Sequence, residues 1–331
     1  MSEAITGKVF KMMDLDRNGH HDPQSSSTPP GPAFAAANAP SYARILFFGS
    51  DGLRPGWGLA IYALLFFFLQ RFGAGLAWSV ELGRGGLWST LLEELASFIA
   101  AVVPAIVLSG IERRRWSVYG LPAKQALGAR FWSGTVWGFA AISLLMVSLY
   151  GLHCFSFGHL AVHGARLVRF AAFWAGLFLL VGLFEEFLLR GYTQFTLGRG
   201  IGFWPAAIAL SAAFGLIHLR NGGEQWPGLL AAACIGLFFC LTLRRTGNLW
   251  FAVGFHAAWD WGESFFYSVP DSGMLSPGHL LRSSLRGPDW LSGGTVGPEG
   301  SVLCFVVIGL AWVLFAKTLP GLHFVAETDA R

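Results

Sequence analysis

The stretch VGLFEEFLLRGYTQFTL, Val181 to Leu197, sets two adjacent carboxylates into the end of a long apolar run. The run itself extends from Phe170 to Phe184. Arg190 follows Glu186 by four residues, a spacing that brings both side chains to one helical face and within pairing distance. Glu185 points about 100° away from Glu186. A carboxylate in or near a bilayer core is costly, and such residues face a protein interior or a water-filled cavity and mark function by default. Glu186 has a local partner, whereas Glu185 has none nearby in sequence, so its presence calls for a chemical reason.

Composition sets the solvent of the fold. The 331 residues are 54% hydrophobic, 15% aromatic and 13% charged, with a mean hydropathy of +0.53. A soluble domain carries about 25% charged residues, so the expectation is an all-α, polytopic membrane helical bundle. In such a chain the net charge of +4 reads as a topology signal and gives no support for a nucleic-acid partner. Cys154, Cys234, Cys240 and Cys304 lie mostly in apolar segments without a CxxC pair. They read as buried thiols rather than as disulfides or a zinc knuckle.

Outward from the central stretch, eight apolar segments approach spanning length. They lie near Trp57–Trp78, Leu91–Ile111, Phe131–Leu152, Phe170–Leu189, Ile201–Leu219, Pro227–Leu243, Leu249–Tyr267 and Ser301–Lys317. Residues 1–55 read as a disordered cytoplasmic tail with an interfacial patch at Ile45–Phe48, residues 56–320 as the transmembrane domain, and residues 321–331 as a C-terminal tail. The first apolar run starts too late for a cleaved signal peptide. DLDRNG, Asp14–Gly19, imitates the start of an EF-hand loop, but Ser25 occupies the position that needs a bidentate glutamate. With the N-terminus inside, 16 of the 23 lysines and arginines fall on inner segments and 7 on outer ones. This predicts a multi-pass protein of the cell (inner) membrane with both termini cytoplasmic and the Ser268–Gly300 connection outside. Gly134 and Gly138 form a GxxxG, a signature of close helix packing.

Two further polar interruptions join the first. His218 ends FGLIH, four residues after Phe214, and His256 and Asp260 share a face in HAAWD. Carboxylates and imidazoles on three apolar helices can activate water and stabilise developing charge. They can equally hold a divalent metal.

EExxxR, FxxxH and Hxxx(N/D), in this order on separate membrane helices, resemble the CPBP family: the type II CAAX prenyl endopeptidases and the bacteriocin-processing or Abi proteins. Here the motifs are Glu185–Arg190, Phe214–His218 and His256–Asp260, within a core at about 170–267. The resemblance implies an intramembrane endopeptidase acting on a membrane-associated peptide or protein. Glu185 would be the general base, His218 would help hold the water, and His256 and Asp260 would form the oxyanion side. Glu186 and Arg190 would be a supporting ion pair. The alternative is a site holding zinc through Glu185, His218 and His256. Asp260 departs from the Asn usual in the CAAX-processing members. A non-catalytic immunity or scaffold protein using the same residues structurally is the rival; a transporter is disfavoured by the lack of an internal repeat.

Two expectations concern placement. Glu93 and Glu94 read as interfacial. Measured from segment midpoints on straight helices, Glu185 falls about 7 Å toward the inner side and His218 about 10 Å toward the outer side, too far apart to meet.

Overall fold

A computed structural model describes residues 42–50, 52–80, 86–221 and 225–318. The Asp14–Gly19 stretch, most of the N-terminal tail and the whole C-terminal tail lie outside the described residues. Inside the expected tail, α1 (Tyr42–Phe47) is followed by a hairpin pairing Phe48–Gly49 with Gly52–Leu53. Arg54 fastens it, donating from Nε to the Ile45 carbonyl at 3.1 Å, and Leu53 is buried. The end of the tail is thus a folded strap leading into the first long helix.

The bundle comprises α2 (Pro55–Val80), α3 (Leu87–Glu112), α4 (Ala129–Gly151), α5 (Gly164–Arg190), α6 (Tyr192–Ile201) and α7 (Phe203–Ile217). It continues with α8 (Trp226–Thr246), α9 (Trp250–Asp260), the short α10 (Asp289–Ser292) and α11 (Val302–Thr318). Among the described residues, six helices are long and apolar enough to cross a membrane: α2, α3, α4, the continuous α5–α6 arm, α7 with the turn after it, and α8. Their outer faces carry large apolar side chains in the open, Leu64 at 72% and Phe68 at 68% exposure among them. Water would not tolerate so extended an apolar surface, whereas lipid tails would cover it. The chain is an all-α polytopic membrane bundle.

Two of the eight expected segments fall outside these six. α11 has 17 residues. α9 has 11 residues before a π-helical turn at Trp261–Phe266, about 16 Å of helix against a hydrocarbon core of about 30 Å. α9 is apolar because protein surrounds it: every residue from Trp250 to Asp260 except His256 is buried. An apolar run without periodicity fits a core helix as well as a lipid-facing one.

The approach of α4 to α9 is what centres the bundle. A Cβ at Gly134 would collide with the Phe251 carbonyl, one at Gly138 with the Phe255 carbonyl, and one at Gly254 with the Phe131 carbonyl. Absent side chains on both helices let the backbones touch, as in small-residue helix pairs within membranes. A second constraint is the hairpin formed by α5–α6 and α7. It turns at Gly202, whose φ of +91° is readily reached only without a Cβ. Gln194 Nε2 donates to the Phe203 carbonyl across the turn at 3.0 Å.

Gly138→Ala should force α4 and α9 apart and destabilise the protein by about 1–3 kcal/mol, the usual range for overpacking. Thermal unfolding in detergent micelles checks this, with Gly176→Ala as the control because a Cβ there meets nothing within 4 Å.

Candidate active site

Three elements bring the polar residues together. The last turns of α5 carry Glu185, Glu186 and Arg190; α7 ends at His218; α9 carries His256 and Asp260. Glu185, His218, His256 and Asp260 all line one cavity of about 830 Å³. The separation inferred from segment midpoints is therefore corrected. Depth is counted from the turn: Glu185 lies 17 residues before Gly202 and His218 lies 16 after it. On antiparallel arms rising about 1.5 Å per residue, both stand roughly 25 Å from the turn.

Glu186 is the hub. Its side chain is wholly buried, and Oε1 accepts from Arg190 Nη1 at 3.1 Å and lies 3.0 Å from His256 Nδ1. Arg190, likewise fully buried, lies over the Phe214 ring with its guanidinium carbon 4.6 Å from the centroid. A Cβ at Gly236 would strike that guanidinium. The pairing seen in the sequence thus also grips the histidine of the third motif, a link that spacing alone could not reveal.

His256 stacks on Phe239, and its second nitrogen faces two more carboxylates: Nε2 is 3.6 Å from Glu185 Oε2 and 3.5 Å from Asp260 Oδ2. With acceptors at both nitrogens, the doubly protonated ring matches its surroundings. Asp260, where CAAX-processing relatives usually have Asn, makes no hydrogen bond among the described residues beyond this ion pair. Glu185 is the most open of the three carboxylates around His256, with 28% of its side chain exposed. His218 Nδ1 lies 2.8 Å from the Phe214 carbonyl. A carbonyl only accepts, so Nδ1 carries a proton, and in the neutral tautomer this leaves the lone pair on Nε2.

Among the described residues no group of three or more His, Cys, Asp or Glu side chains is gathered so as to hold a metal ion. One nitrogen each of His256 and His218 is engaged, by Glu186 and by the Phe214 carbonyl, which leaves the second nitrogen of each ring as the only possible ligand atom.

The cavity also contains residues that the sequence reading passed over. Glu94 lines it instead of sitting at an interface. Its helical face is shared with Ser97, Ala101, Ala105 and Leu108, all buried, while Glu93 is exposed. That periodicity was available in the sequence and marks Glu94 as inward. The Ser268–Gly300 connection, expected as an external loop, packs against the bundle. Leu280 N donates to the Phe265 carbonyl, and Trp174 Nε1 on α5 donates to the Pro277 carbonyl at 3.1 Å. It thereby brings Asp271 and Glu299 to the cavity wall. Burial, and then the neighbouring Glu299, push the Asp271 carboxyl up to about 7 against the opposing effect of the Ser264 hydroxyl, which donates to it at 2.8 Å. No spacing rule links these acids to the motifs.

Fold and site together define a class: a polytopic helical membrane protein with a carboxylate–histidine cavity among its helices. Residues 166–262 match the family model described as type II CAAX prenyl endopeptidase Rce1-like. The match covers somewhat under a third of the chain and encloses all three motifs. No curated protein matches the chain.

Glu186→Ala would strand a buried guanidinium and release His256, at a cost of about 3–5 kcal/mol. Glu185→Ala should leave stability unchanged or raise it slightly, because it removes a carboxylate among other acids. Thermal melts of the two purified variants should separate clearly; equal melting temperatures would contradict this division.

Proposed function

We propose that the chain is an intramembrane endopeptidase that hydrolyses a peptide bond in a membrane-associated peptide or protein, with Glu185 as general base. The observation carrying this reading is the convergence of Glu185, His218 and His256, from three different helices, on one cavity. Its size is that of a pocket that encloses a ligand. The family match supports a protease at the coarser level.

The chemistry follows from the placements. A water in the cavity gives a proton to Glu185, the most accessible of the carboxylates around His256, while its oxygen attacks the carbonyl carbon. The lone pair on His218 Nε2 orients the same water. Charge that develops on the carbonyl oxygen is stabilised by protonated His256. Asp260 offsets part of that charge in the resting site and holds the ring, a role that suits an acid where an oxyanion partner would have to be neutral. As the C–N bond breaks, the proton on Glu185 passes to the leaving amine. Glu186 and Arg190 keep His256 in position and meet no reacting atom. Nothing in this scheme requires a prenyl group on the substrate, and no step runs through a metal.

Glu185→Gln, nearly isosteric, should reduce cleavage of a membrane-embedded reporter peptide by at least about 10²- to 10⁴-fold, the usual contribution of a general base, while the protein melts normally. A chelator should leave wild-type activity unchanged. Wild-type activity in Glu185→Gln would leave the scaffold reading standing, and loss on chelation with recovery on zinc would restore the metal alternative.

We also infer a cell-membrane protein with both termini in the cytoplasm, from the 16 basic residues on inner segments out of 23. Reporter fusions after Lys124 and at the C-terminus should report cytoplasm, and fusions within 268–300 the opposite side. A cytoplasmic signal from that connection would reverse the topology.

A further inference from the structure

One end of the bundle carries positive charge that the protein itself does not neutralise. The ends of α3, α6 and α8 meet there with the starts of α4, α7 and α9. Arg199 on α6 faces Glu112 on α3 at 3.8 Å, and Arg244 on α8 lies over the Phe203 ring at the start of α7, 5.0 Å from its centroid. The α3–α4 connection is fixed to the start of α9. Leu249 N donates to the Gly120 carbonyl at 2.7 Å, and Trp250 Nε1 donates to the Pro122 carbonyl at 3.2 Å.

Glu112 is the one carboxylate at this end among the described residues, and its oxygens are already engaged. The side chain is wholly buried; Oε1 accepts from the Tyr192 hydroxyl at 3.2 Å, and Oε2 lies 3.3 Å from Arg114 Nε and 3.8 Å from Arg199 Nη1. The sequence contains no further Asp or Glu before Glu185. Arg113, Arg115 and Lys124 on the connection are exposed. Among the described residues none of the three has an ion pair. Arg113 also stands at a φ of +56° as the C-cap of α3, where glycine is the usual choice. Its backbone cost calls for a side-chain contact to offset it.

The border of this patch is apolar. Ile111, Leu127, Trp132 and Val136 are all exposed, the last two one turn apart on α4. Cations beside an indole, with aliphatic surface continuing along the helix, match the headgroup layer of a bilayer and the acyl chains next to it. A soluble anion would meet the cations and leave that border uncovered.

We propose that Arg113, Arg115 and Lys124 bind the phosphate groups of anionic phospholipids, whose acyl chains lie along Leu127, Trp132 and Val136. Such binding is independent of the protease reading and would serve a scaffold equally. It falls on the side assigned above to the cytoplasm, where a leaflet with anionic lipids attracts basic segments next to membrane spans.

Thermal unfolding of the full-length protein in neutral detergent, with phosphatidylglycerol or phosphatidylcholine titrated into the micelles, reads the binding. Phosphatidylglycerol should raise the melting temperature with half-effect at a mole fraction at least about fivefold lower than phosphatidylcholine. Adding about 0.5 M salt should shrink that ratio. In the Arg113→Gln/Arg115→Gln/Lys124→Gln protein the ratio should fall to near one, with the lipid-free melting temperature unchanged. Lys124→Gln alone should lower it, which keeps the test informative if the triple variant folds poorly. Arg282→Gln, at the opposite end beside His159, should keep the wild-type ratio. A ratio unchanged in both the triple and the single variant places the lipid elsewhere and overturns the proposal. Inorganic phosphate and glycerol 3-phosphate are the soluble probes; a melting shift from either equal to that from phosphatidylglycerol would assign the patch to a free phosphate and overturn the lipid reading. Equal titrations of the two lipids overturn it as well, including the case in which acidic residues of the chain such as Asp14 and Asp16 hold the cations instead.

Discussion

One carboxylate oxygen organises this molecule. Glu186 Oε1 meets both the Arg190 guanidinium and the His256 ring, 3.1 and 3.0 Å away. Removing the carboxylate and the guanidinium from water costs several kcal/mol per ion, and their attraction in a low-dielectric interior compensates only when geometry and further hydrogen bonds are good. Here α5 fixes the pair at i and i+4, and the Phe214 face shields the cation. The contact of Glu186 with His256 fastens α5 to α9 by a directional bond, which dispersion alone could not supply among helices whose apolar surfaces are interchangeable. Specifying one arrangement is a plausible reason for a bundle to tolerate buried ions at all.

Around that bond the backbone is built for close approach. Gly134, Gly138 and Gly254 admit α9 against α4, and the buried cluster of Phe238, Phe239, Phe251 and Phe255 fills the opposite side. A central helix of 11 residues can be rigid only because it is enclosed, and rigidity there matters: an error of about 1 Å in a catalytic group can cost 10²-fold in rate. The placement of His256 thus depends on glycines that meet no reacting atom, Gly138 lying against the carbonyl of the neighbouring Phe255.

Much of this was legible in the chain. The membrane class followed from 13% charge, and the three motifs pointed to the residues that line the cavity, because charged or imidazole side chains in apolar helices have few other reasons to persist. The failures have physical causes. Hydropathy cannot tell lipid from protein as the apolar neighbour, so it did not show that α9 is enclosed by other helices. Segment midpoints gave false depths, because a helix continues past its apolar stretch: α5 begins at Gly164 and its arm runs on to Ile201. Long-range encounters left no periodic trace. Asp271 and Glu299 reach the cavity through an irregular connection whose path is set by contacts such as Trp174 with Pro277. Glu94 is a different case, since its inward face could be read from Ser97, Ala101 and Leu108.

The hairpin at Gly202 acts as a ruler. Its two arms count 17 residues from the turn to Glu185 and 16 to His218, so the meeting of these two groups ties the length of one arm to that of the other. Adding or losing one residue on a single arm would slide one group past the other by about 1.5 Å and swing it through about 100° around its helix. Extending both arms equally would move the whole site deeper or shallower and leave it intact. The distance of this cavity from the membrane surface is thus free to vary in evolution, while the parity of the two arms is not.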